Sequence, residues 1–301
     1  MRTKPVFLRS RILLFWVCHI ETCCKRLSSN IQREVSTYLG SVSLIVVAVR
    51  DRLFAFLPGE RKWEESSSLS SALPASSRSS YVFCKEDLLV IGGYDDNLCK
   101  TVRRTFQIRS GTVNQGPNLL AARCFSGCLQ ASGRVYIFGG MDKDALSSCE
   151  QLDESDWISI GDMNHPRFNF VPCEHQGLVY ICGGNSFTVE TFNPCTNLFG
   201  LAAYRCGTPT TQWSCALLSY EGELVFVGYS WMQKGGNPGR SRKVGFTWSS
   251  CTPVVLSGVV YFIDNRVPLA PICRGVRLET GAQVCSCAFN PDMNEVKRHL
   301  T

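Results

Sequence analysis

Short apolar runs recur along the chain after residue 80, and each run opens with a turn residue. The turn residue is followed by about five mostly apolar positions, a length typical of strands. The five runs are EDLLVIGG from Glu86, GRVYIFGG from Gly133, GLVYICGG from Gly177, GELVFVGY from Gly222 and GVVYFIDN from Gly258. A continuous apolar run of this length, bounded by turn signals, predicts a strand that is buried on both faces.

Glycines close these runs at a repeating interval. The runs end at Gly92-Gly93, Gly139-Gly140, Gly183-Gly184, Gly228 and Asp264. The intervals between these places are 47, 44, 45 and 36. A glycine pair at the end of a buried strand permits positive φ and close approach of a neighbouring backbone, which a tight turn at a crowded place requires.

Further strand patterns surround each apolar run. One pattern precedes the run, at Tyr81-Val82-Phe83, Phe125 to Leu129, Phe168 to Val171 and Cys215 to Leu218. Another follows it, at Val102 to Ile108 and Thr188 to Phe192, and a Trp or a turn comes next, as at Trp157 and Gly116-Pro117. A period of about 45 residues with four short strands has the size of one β-propeller blade.

These repeats resemble those of the kelch family. The resemblance rests on the diglycines, on Tyr136 and Tyr180 shortly before them, on Trp157, and on the phrases MNHPRFNF and VETFNP. It is clear from about Arg78 to Phe192 and weaker in the fourth and fifth repeats. It implies an all-β fold, a kelch-type β-propeller, with Tyr136, Tyr180, Trp157 and the six paired glycines as structural repeat residues.

A degenerate repeat at 41–65, LIVVAV then RLFAF and Lys62-Trp63, raises the expected count to six four-stranded blades with degenerate first and last blades. The predicted propeller therefore spans residues 41–290, between a loosely structured basic segment, 1–40, and a tail, 291–301. The Ser-rich run Ser66 to Ser80 is interpreted as a connection between blades, with an interdomain linker as the alternative.

The net charge of +6 is concentrated at the N-terminus. Residues 1–40 have seven basic and two acidic side chains, and the remainder has 24 basic and 23 acidic ones. The nearly balanced charge of the main domain does not imply a nucleic-acid-binding surface, and we expect no nucleic-acid partner. The longest apolar runs, Ile12 to Val17 and Leu44 to Val49, are too short to span a bilayer. We expect a cytoplasmic protein, with an organelle presequence in residues 1–20 as the alternative.

Seventeen cysteines occur without any C-x-x-C pair. We interpret most of them as small buried hydrophobes in a reducing compartment. Two alternatives are a metal site at Cys18, His19, Cys23 and Cys24, and a thiol sensor. The prediction is that the protein has no metal and no cofactor.

Polar residues in register supply the candidate binding site. Arg78, Arg123 and Arg167 each precede a diglycine at a similar interval, from position 78 to 92, from 123 to 139 and from 167 to 183. Gln212 precedes Gly228 at the interval of the second and third arginines. Such positions would form a partial arginine ring at one rim, where guanidinium groups favour a carboxylate or phosphate. The alternative is that each Arg pairs with a neighbouring blade's acid or is solvated.

The loops after the diglycines differ most between repeats, and variable loops on a rigid frame are the usual carriers of specificity. The candidate partner-binding residues in these loops are Tyr94, Asp95, Asn97, Asp142 and Asn185. The basic segment Gly228 to Lys243 matches no phosphate-binding motif and is interpreted as a solvated loop.

The sequence shows no recognisable catalytic constellation, so we predict no catalytic residues. The kelch resemblance implies an adaptor or scaffold role, and we expect the protein to bind another protein through one rim. The arginine ring favours an acidic or phosphorylated segment of that partner. The resemblance also implies two versions of that role, substrate recognition for a ubiquitin ligase and cytoskeletal contact. The ligase version normally has further domains ahead of the propeller. The alternative function is a propeller enzyme acting on a small sugar or acid at the channel mouth.

Overall fold

Strands account for all the regular structure that the computed structural model describes. The described residues are 16–19, 43–49, 52–57, 62–68, 76–84, 87–109, 112–184, 186–205, 215–228, 231–235, 241–243, 253–256, 258–264 and 272–288. A helix of the length and apolarity needed to cross a membrane is absent from these ranges. The chain divides into two units, Leu69–Val244 and a unit made of Met1–Ser68 with Gly245–Thr301.

The described strands form six sheets in which four strands follow one another in chain order, here called blades 1 to 6. Blade 1 contains β1 (Trp16–His19), β2 (Ser43–Val49), β3 (Arg52–Leu57) and β4 (Lys62–Ser68). The next strands are β5 (Ser76–Ser77), β6 (Ser80–Cys84), β7 (Asp87–Ile91), β8 (Tyr94–Asp95), β9 (Lys100–Thr101), β10 (Thr105–Arg109) and β11 (Thr112–Gln115). Of these, β6, β7, β10 and β11 form blade 2, and β5, β8 and β9 form a small sheet, the rim sheet.

Three further blades complete the strand list of the Leu69–Val244 unit, and blade 6 belongs to the other unit. Blade 3 contains β12 (Gly127–Ala131), β13 (Arg134–Phe138), β14 (Ser148–Asp153) and β15 (Asp156–Asp162). After β16 (Phe170–Val171), blade 4 contains β17 (Cys173–His175), β18 (Leu178–Gly183), β19 (Ser186–Asn193) and β20 (Leu198–Arg205). Blade 5 contains β21 (Cys215–Tyr220), β22 (Glu223–Gly228), β23 (Trp231–Lys234) and β24 (Ser241–Lys243), and β16 pairs with its first strand. Blade 6 contains β25 (Val254–Leu256), β26 (Val259–Asp264), β27 (Ile272–Arg277) and β28 (Gln283–Ala288).

The five apolar runs are the strands β7, β13, β18, β22 and β26, and each has a paired strand on both sides. Their alternating side chains explain why the runs are apolar at every position. On β13, Val135 and Ile137 pack in a core shared with β7 of blade 2. Tyr136 and Phe138 point to the opposite face and pack in a core shared with β18 of blade 4. The prediction of an all-β propeller built on doubly buried strands is confirmed.

Aromatic residues of the repeat fill the contacts between blades. Trp157 is 3% exposed, and its indole N–H donates to Thr105 Oγ1 of blade 2 at 3.2 Å. Tyr136 is fully buried, with its ring 5.2 Å from Phe192 of blade 4 in an edge-to-face arrangement. Tyr180 is half-buried beside the core shared by blades 4 and 5. Each such aromatic residue contributes about 1.5–3 kcal/mol by burial.

The diglycines lie where consecutive blades meet. Gly139 has a φ of 52°, and a Cβ on it would lie 2.4 Å from the carbonyl oxygen of Arg167 in the next blade's lead-in. The amide of Gly140 donates to that same oxygen at 2.8 Å. Gly92 and Gly93 repeat both relations with the carbonyl oxygen of Arg123. The pairs therefore allow one blade's turn to contact the backbone of the next blade.

Blade 1 takes its first strand from the segment expected to precede the propeller. β1 pairs antiparallel with β2, with Trp16 opposite Val46 and His19 opposite Ser43. This strand lies ahead of residue 41, the expected start of the propeller. In the Ser-rich run, β4 ends at Ser68 and β5 begins at Ser76, and the residues between them lie outside the described ranges, as does the tail 291–301.

We expect Gly139→Ala to destabilise the protein more than Gly133→Ala. Both glycines have positive φ, 52° and 77°, so both variants incur backbone strain of about 1–2 kcal/mol. Only at Gly139 would the new methyl group meet a backbone atom, whereas no atom lies within 4 Å at Gly133. Urea unfolding should show a loss of about 1 kcal/mol for Gly133→Ala and about 3 kcal/mol for Gly139→Ala. Equal losses would contradict the close approach of the blades.

Candidate functional site

Arg167 lies inside blade 4 and not at a rim. It is 0% exposed, and its guanidinium donates from Nε to Glu190 Oε1 at 3.0 Å. It also donates to the carbonyl oxygens of Gly183, at 2.9 Å, and Thr188, at 2.8 Å. The side chain thus holds the diglycine turn and the third strand of its own blade.

Arg123 does the same in blade 3. It is 1% exposed and donates to Glu150 Oε1 at 2.6 Å and to the carbonyl oxygens of Gly139 and Ser148 at 2.7 and 2.8 Å. The expectation that Arg123 and Arg167 present guanidinium groups to a ligand is corrected here. Both groups are enclosed by the carbonyl oxygens and the carboxylate of their own blade, so no partner reaches them.

Two glutamates that the sequence analysis did not single out complete this arrangement. Glu150 accepts hydrogen bonds from the amides of Leu120 and Ala121, at 2.7 and 3.1 Å. Glu190 accepts them from the amides of Asn164 and His165, at 2.6 and 3.1 Å. Glu150 lies opposite Ile137, and Glu190 lies opposite Ile181, each isoleucine being two places before a diglycine. An alignment of the third strands of the repeats would have revealed this shared position. Each carboxylate therefore fixes the lead-in loop that carries its arginine.

Blade 2 lacks this pair, which separates Arg78 from the other arginines. Phe106 occupies the position of the glutamate, opposite Val90. Ser76, and not Arg78, stands as far ahead of its diglycine as Arg123 and Arg167 stand ahead of theirs. Arg78 is two places further along and corresponds to Phe125 and Asn169 in the next two repeats. All three have left-handed backbone, with φ of 62°, 54° and 56°.

These three positions join consecutive blades through their backbones. The amide of Phe125 donates to the carbonyl oxygen of Arg78 at 3.0 Å, and the amide of Asn169 donates to that of Phe125 at 2.8 Å. Phe125 and Asn169 each follow an enclosed arginine by two places. Arg78 is half-buried, whereas Arg123 and Arg167 are enclosed.

The guanidinium of Arg78 lies between two aromatic rings. Its central carbon is 5.4 Å from the ring centroid of Tyr94 and 5.0 Å from that of Phe125. Both distances are within the range of a cation–π contact, which orients the planar group without neutralising it. Among the described residues, no acidic side chain forms an ion pair with Arg78. The arrangement can therefore receive an external carboxylate or phosphate.

The loop residues near Arg78 divide into two groups. Asp95 is 6% exposed, and its carboxylate accepts the amides of Asn97 and Leu98, at 3.0 and 3.1 Å, so it shapes the hairpin of the rim sheet. Asn97 and Asp142 are exposed, and Asp142 accepts a hydrogen bond from Thr101 of that hairpin. Asn185 and Gln212 lie outside the described residues. Within the described ranges, the structure therefore places Arg78 against Tyr94 and against Phe125, which the sequence analysis missed. Asn97 lies in the hairpin of the rim sheet, and Asp142 contacts that hairpin through Thr101.

The described thiols differ in burial: Cys124, Cys149, Cys182 and Cys215 are buried, whereas Cys84, Cys128 and Cys173 are half-buried. Burial raises the pKa of Cys124 to about 11, an effect that the charge of Arg78 partly offsets. Burial likewise raises the pKa values of Cys128, Cys149 and Cys173 to about 12. Cys99 and Cys195 are exposed. No cluster of three metal-ligating side chains occurs in the described ranges; Cys23 and Cys24 of the alternative metal site lie outside them.

Comparisons with known proteins agree with this architecture. Residues 122–164, which contain Arg123, Gly139, Glu150 and Trp157, match the family model described as Kelch motif. An F-box/kelch-repeat protein of Arabidopsis thaliana is 29% identical over 109 residues, which are 35% of this chain and 25% of that protein. A second F-box/kelch-repeat protein of Arabidopsis thaliana is 34% identical over 77 residues, 24% of this chain and 20% of that protein. The aligned segments thus span a quarter or less of these relatives.

A solved structure, that of YjhT, matches with a TM-score of 0.62. The alignment covers 77% of this chain and 92% of the YjhT chain. At 8% identity this likeness shows the fold alone. The blades and their diglycine junctions define a β-propeller of the kelch type. The chain thus contains a kelch motif at residues 122–164 and is similar to F-box/kelch-repeat proteins over the aligned segments.

We expect iodoacetamide to label Cys99 and Cys195 of the native protein much faster than Cys128 and Cys149. The thiolate is the nucleophile, and a pKa of about 12 leaves Cys128 and Cys149 almost wholly protonated at neutral pH. The thiolate fraction falls about tenfold per pKa unit, so Cys128 and Cys149 should be labelled more than about 100-fold more slowly than a free model thiol. Mass spectrometry of timed samples measures the rates, with urea-unfolded protein as the control. Rapid native labelling of Cys128 would contradict this account and support a thiol sensor.

Proposed function

We propose that this chain is a non-catalytic protein-binding module that holds a segment of another protein at the rim formed by Arg78, Tyr94, Phe125, Asn97 and Asp142. The observation that carries the proposal is the position of Arg78. Of the three arginines that precede diglycines, it is the one whose guanidinium is not enclosed within a blade. A single oriented cation at a rim is suited to anchoring one anionic group.

The partner presents a carboxylate or phosphate to Arg78. A guanidinium offers parallel N–H donors that match either anion in a bidentate, charge-assisted arrangement. The rings of Tyr94 and Phe125 reduce the number of orientations that the side chain samples, so less conformational entropy is lost on binding. Exposed Asn97 and Leu98 provide amide and apolar contacts next to the anchor, and exposed Asp142 repels a partner with a second acidic group there.

The relatives support a particular version of this role. Their names combine an F-box with kelch repeats, which favours an adaptor that selects substrates for a ubiquitin ligase over a cytoskeletal contact. The relatives are matched over a quarter or less of their length. The ubiquitin-ligase version therefore rests on similarity over those segments alone. The binding role itself depends on the rim and not on the F-box.

We expect Arg78→Ala to lose partners that wild-type protein captures from a lysate of the source cells. Losing a hydrogen bond to a charged group costs about 1.5–3 kcal/mol, which is about a 10- to 100-fold loss of affinity. Arg78→Lys keeps the charge but not the planar fork, and should lose part of the binding. Quantitative mass spectrometry of full-length baits measures the captured proteins.

Arg103→Ala is the matched control, because Arg103 is exposed in the same blade and donates only a long bond, of 3.5 Å, to Leu120. Arg78→Ala should remain folded, since a cation–π contact contributes about 0.5–1 kcal/mol. Identical partners on all the baits would contradict a role for Arg78. A failure of every folded bait to capture any protein would contradict the binding role and favour the small-molecule enzyme.

A further inference from the structure

Two cysteine side chains from neighbouring blades meet inside the Leu69–Val244 unit. Cys182, on β18 of blade 4, is 0% exposed, and Cys215, the first residue of β21 in blade 5, is 4% exposed. Their Sγ atoms are 3.0 Å apart. Non-bonded carbon atoms prefer about 3.5–4.0 Å, and sulfur is the larger atom. The two sulfurs are therefore closer than an ordinary packing contact places them.

The backbones of blades 4 and 5 approach each other closely beside the pair, since a Cβ on Gly183 would lie 3.1 Å from the amide nitrogen of Cys215. β16 pairs parallel with β21, which places Phe170 opposite Cys215. A Cβ built on Gly183, the residue after Cys182, would lie 2.9 Å from Cys215 Cβ, so this glycine permits the approach of the two blades. A disulfide has an S–S length of about 2.05 Å, so the sulfurs need to move together by only about 1 Å.

We propose that Cys182 and Cys215 are a site of disulfide formation that covalently joins blade 4 to blade 5. A hydroperoxide is the oxidant. One thiolate attacks the peroxide oxygen of hydrogen peroxide and becomes a sulfenic acid, with release of one water molecule. The second sulfur attacks the sulfenic sulfur, forms the S–S bond and releases a second water molecule. Two electrons pass from the sulfurs to the peroxide, and both thiol protons end in water.

Burial and position determine what the bond does. Because the pair is almost fully enclosed, oxidation follows a local opening of the blade boundary, and the bond is afterwards shielded from exchange with external thiols. The bond closes a loop between positions 33 apart in sequence. It also ties the diglycine turn of blade 4 to the start of blade 5. The oxidised protein is therefore more resistant to thermal unfolding than the reduced protein.

The test uses the whole chain in its native state. The protein is treated with hydrogen peroxide, unfolded, alkylated with N-ethylmaleimide and digested with trypsin and a glutamate-specific protease. The digest yields 175–190, whose one cysteine is Cys182, and 206–221, which contains Cys206 and Cys215. We expect a linked pair about 2 Da lighter than the sum of 175–190 and of 206–221 with Cys206 alkylated. Fragmentation should place the bond at Cys215, and dithiothreitol should abolish it.

We expect oxidation to raise the thermal midpoint by about 5 °C. Cys215→Ser should lose the linked pair and the rise, whereas Cys173→Ser, which changes another cysteine of blade 4, should keep both. The proposal is overturned if Cys182 and Cys215 of peroxide-treated wild type are both alkylated, or if Cys182 is linked elsewhere. The peptide map of wild-type protein decides between these outcomes by itself. The test therefore remains valid even when the Cys215→Ser variant does not fold.

Discussion

A buried ion pair and the diglycine it braces organise the blade boundaries of the Leu69–Val244 unit. In blades 3 and 4 the arginine side chain is bound by its own blade's glutamate and diglycine carbonyl, while its backbone oxygen accepts the preceding blade's diglycine amide. Burying an arginine and a glutamate is costly, and mutual attraction repays the cost only when nearly every donor and acceptor is satisfied. The repeat satisfies most of them with backbone groups of the same blade, and Arg123 Nε is a buried donor without a hydrogen bond. Stability of the turn and contact between blades thus depend on the same residue.

This structural demand explains where binding remains possible. An arginine at the position of Arg123 or Arg167 is buried, and its guanidinium binds groups of its own blade, so it is not available to a partner. Two places later the backbone is left-handed, and the side chains there are only half-buried. That position holds Phe125 and Asn169 in the two repeats that have the arginine–glutamate pair, and Arg78 in blade 2, which lacks it. The anchor of the proposed rim is thus a residue that the fold leaves unconstrained, in a blade whose glutamate position holds an aromatic residue, Phe106.

Much of the fold was predictable from the sequence, because doubly buried strands and glycine turns leave local signatures. The apolar runs and diglycines identify β7, β13 and β18 directly. The site was less predictable, since Arg78 and Arg123 both precede a diglycine at similar distances. Arg78 is two positions nearer to its diglycine, and this difference leaves it half-buried where Arg123 is enclosed. Asp95 appeared to be a loop residue but is occupied by its own hairpin's amides. β1 was missed because pairing with a distant strand, and not local pattern, determines it.

The most direct test of the account is a double-mutant cycle on Arg167 and Glu190, with Arg167→Met and Glu190→Met measured singly and together by urea unfolding. Each single variant leaves an uncompensated buried group and should cost about 3–5 kcal/mol, and the double variant should cost far less than their sum. The exposed pair of Lys234 and Glu223, 2.8 Å apart, provides the comparison, with an expected coupling of about 0.2–1 kcal/mol. A coupling above about 2 kcal/mol for the buried pair is what the account predicts. Additive, small losses at Arg167 and Glu190 would contradict it.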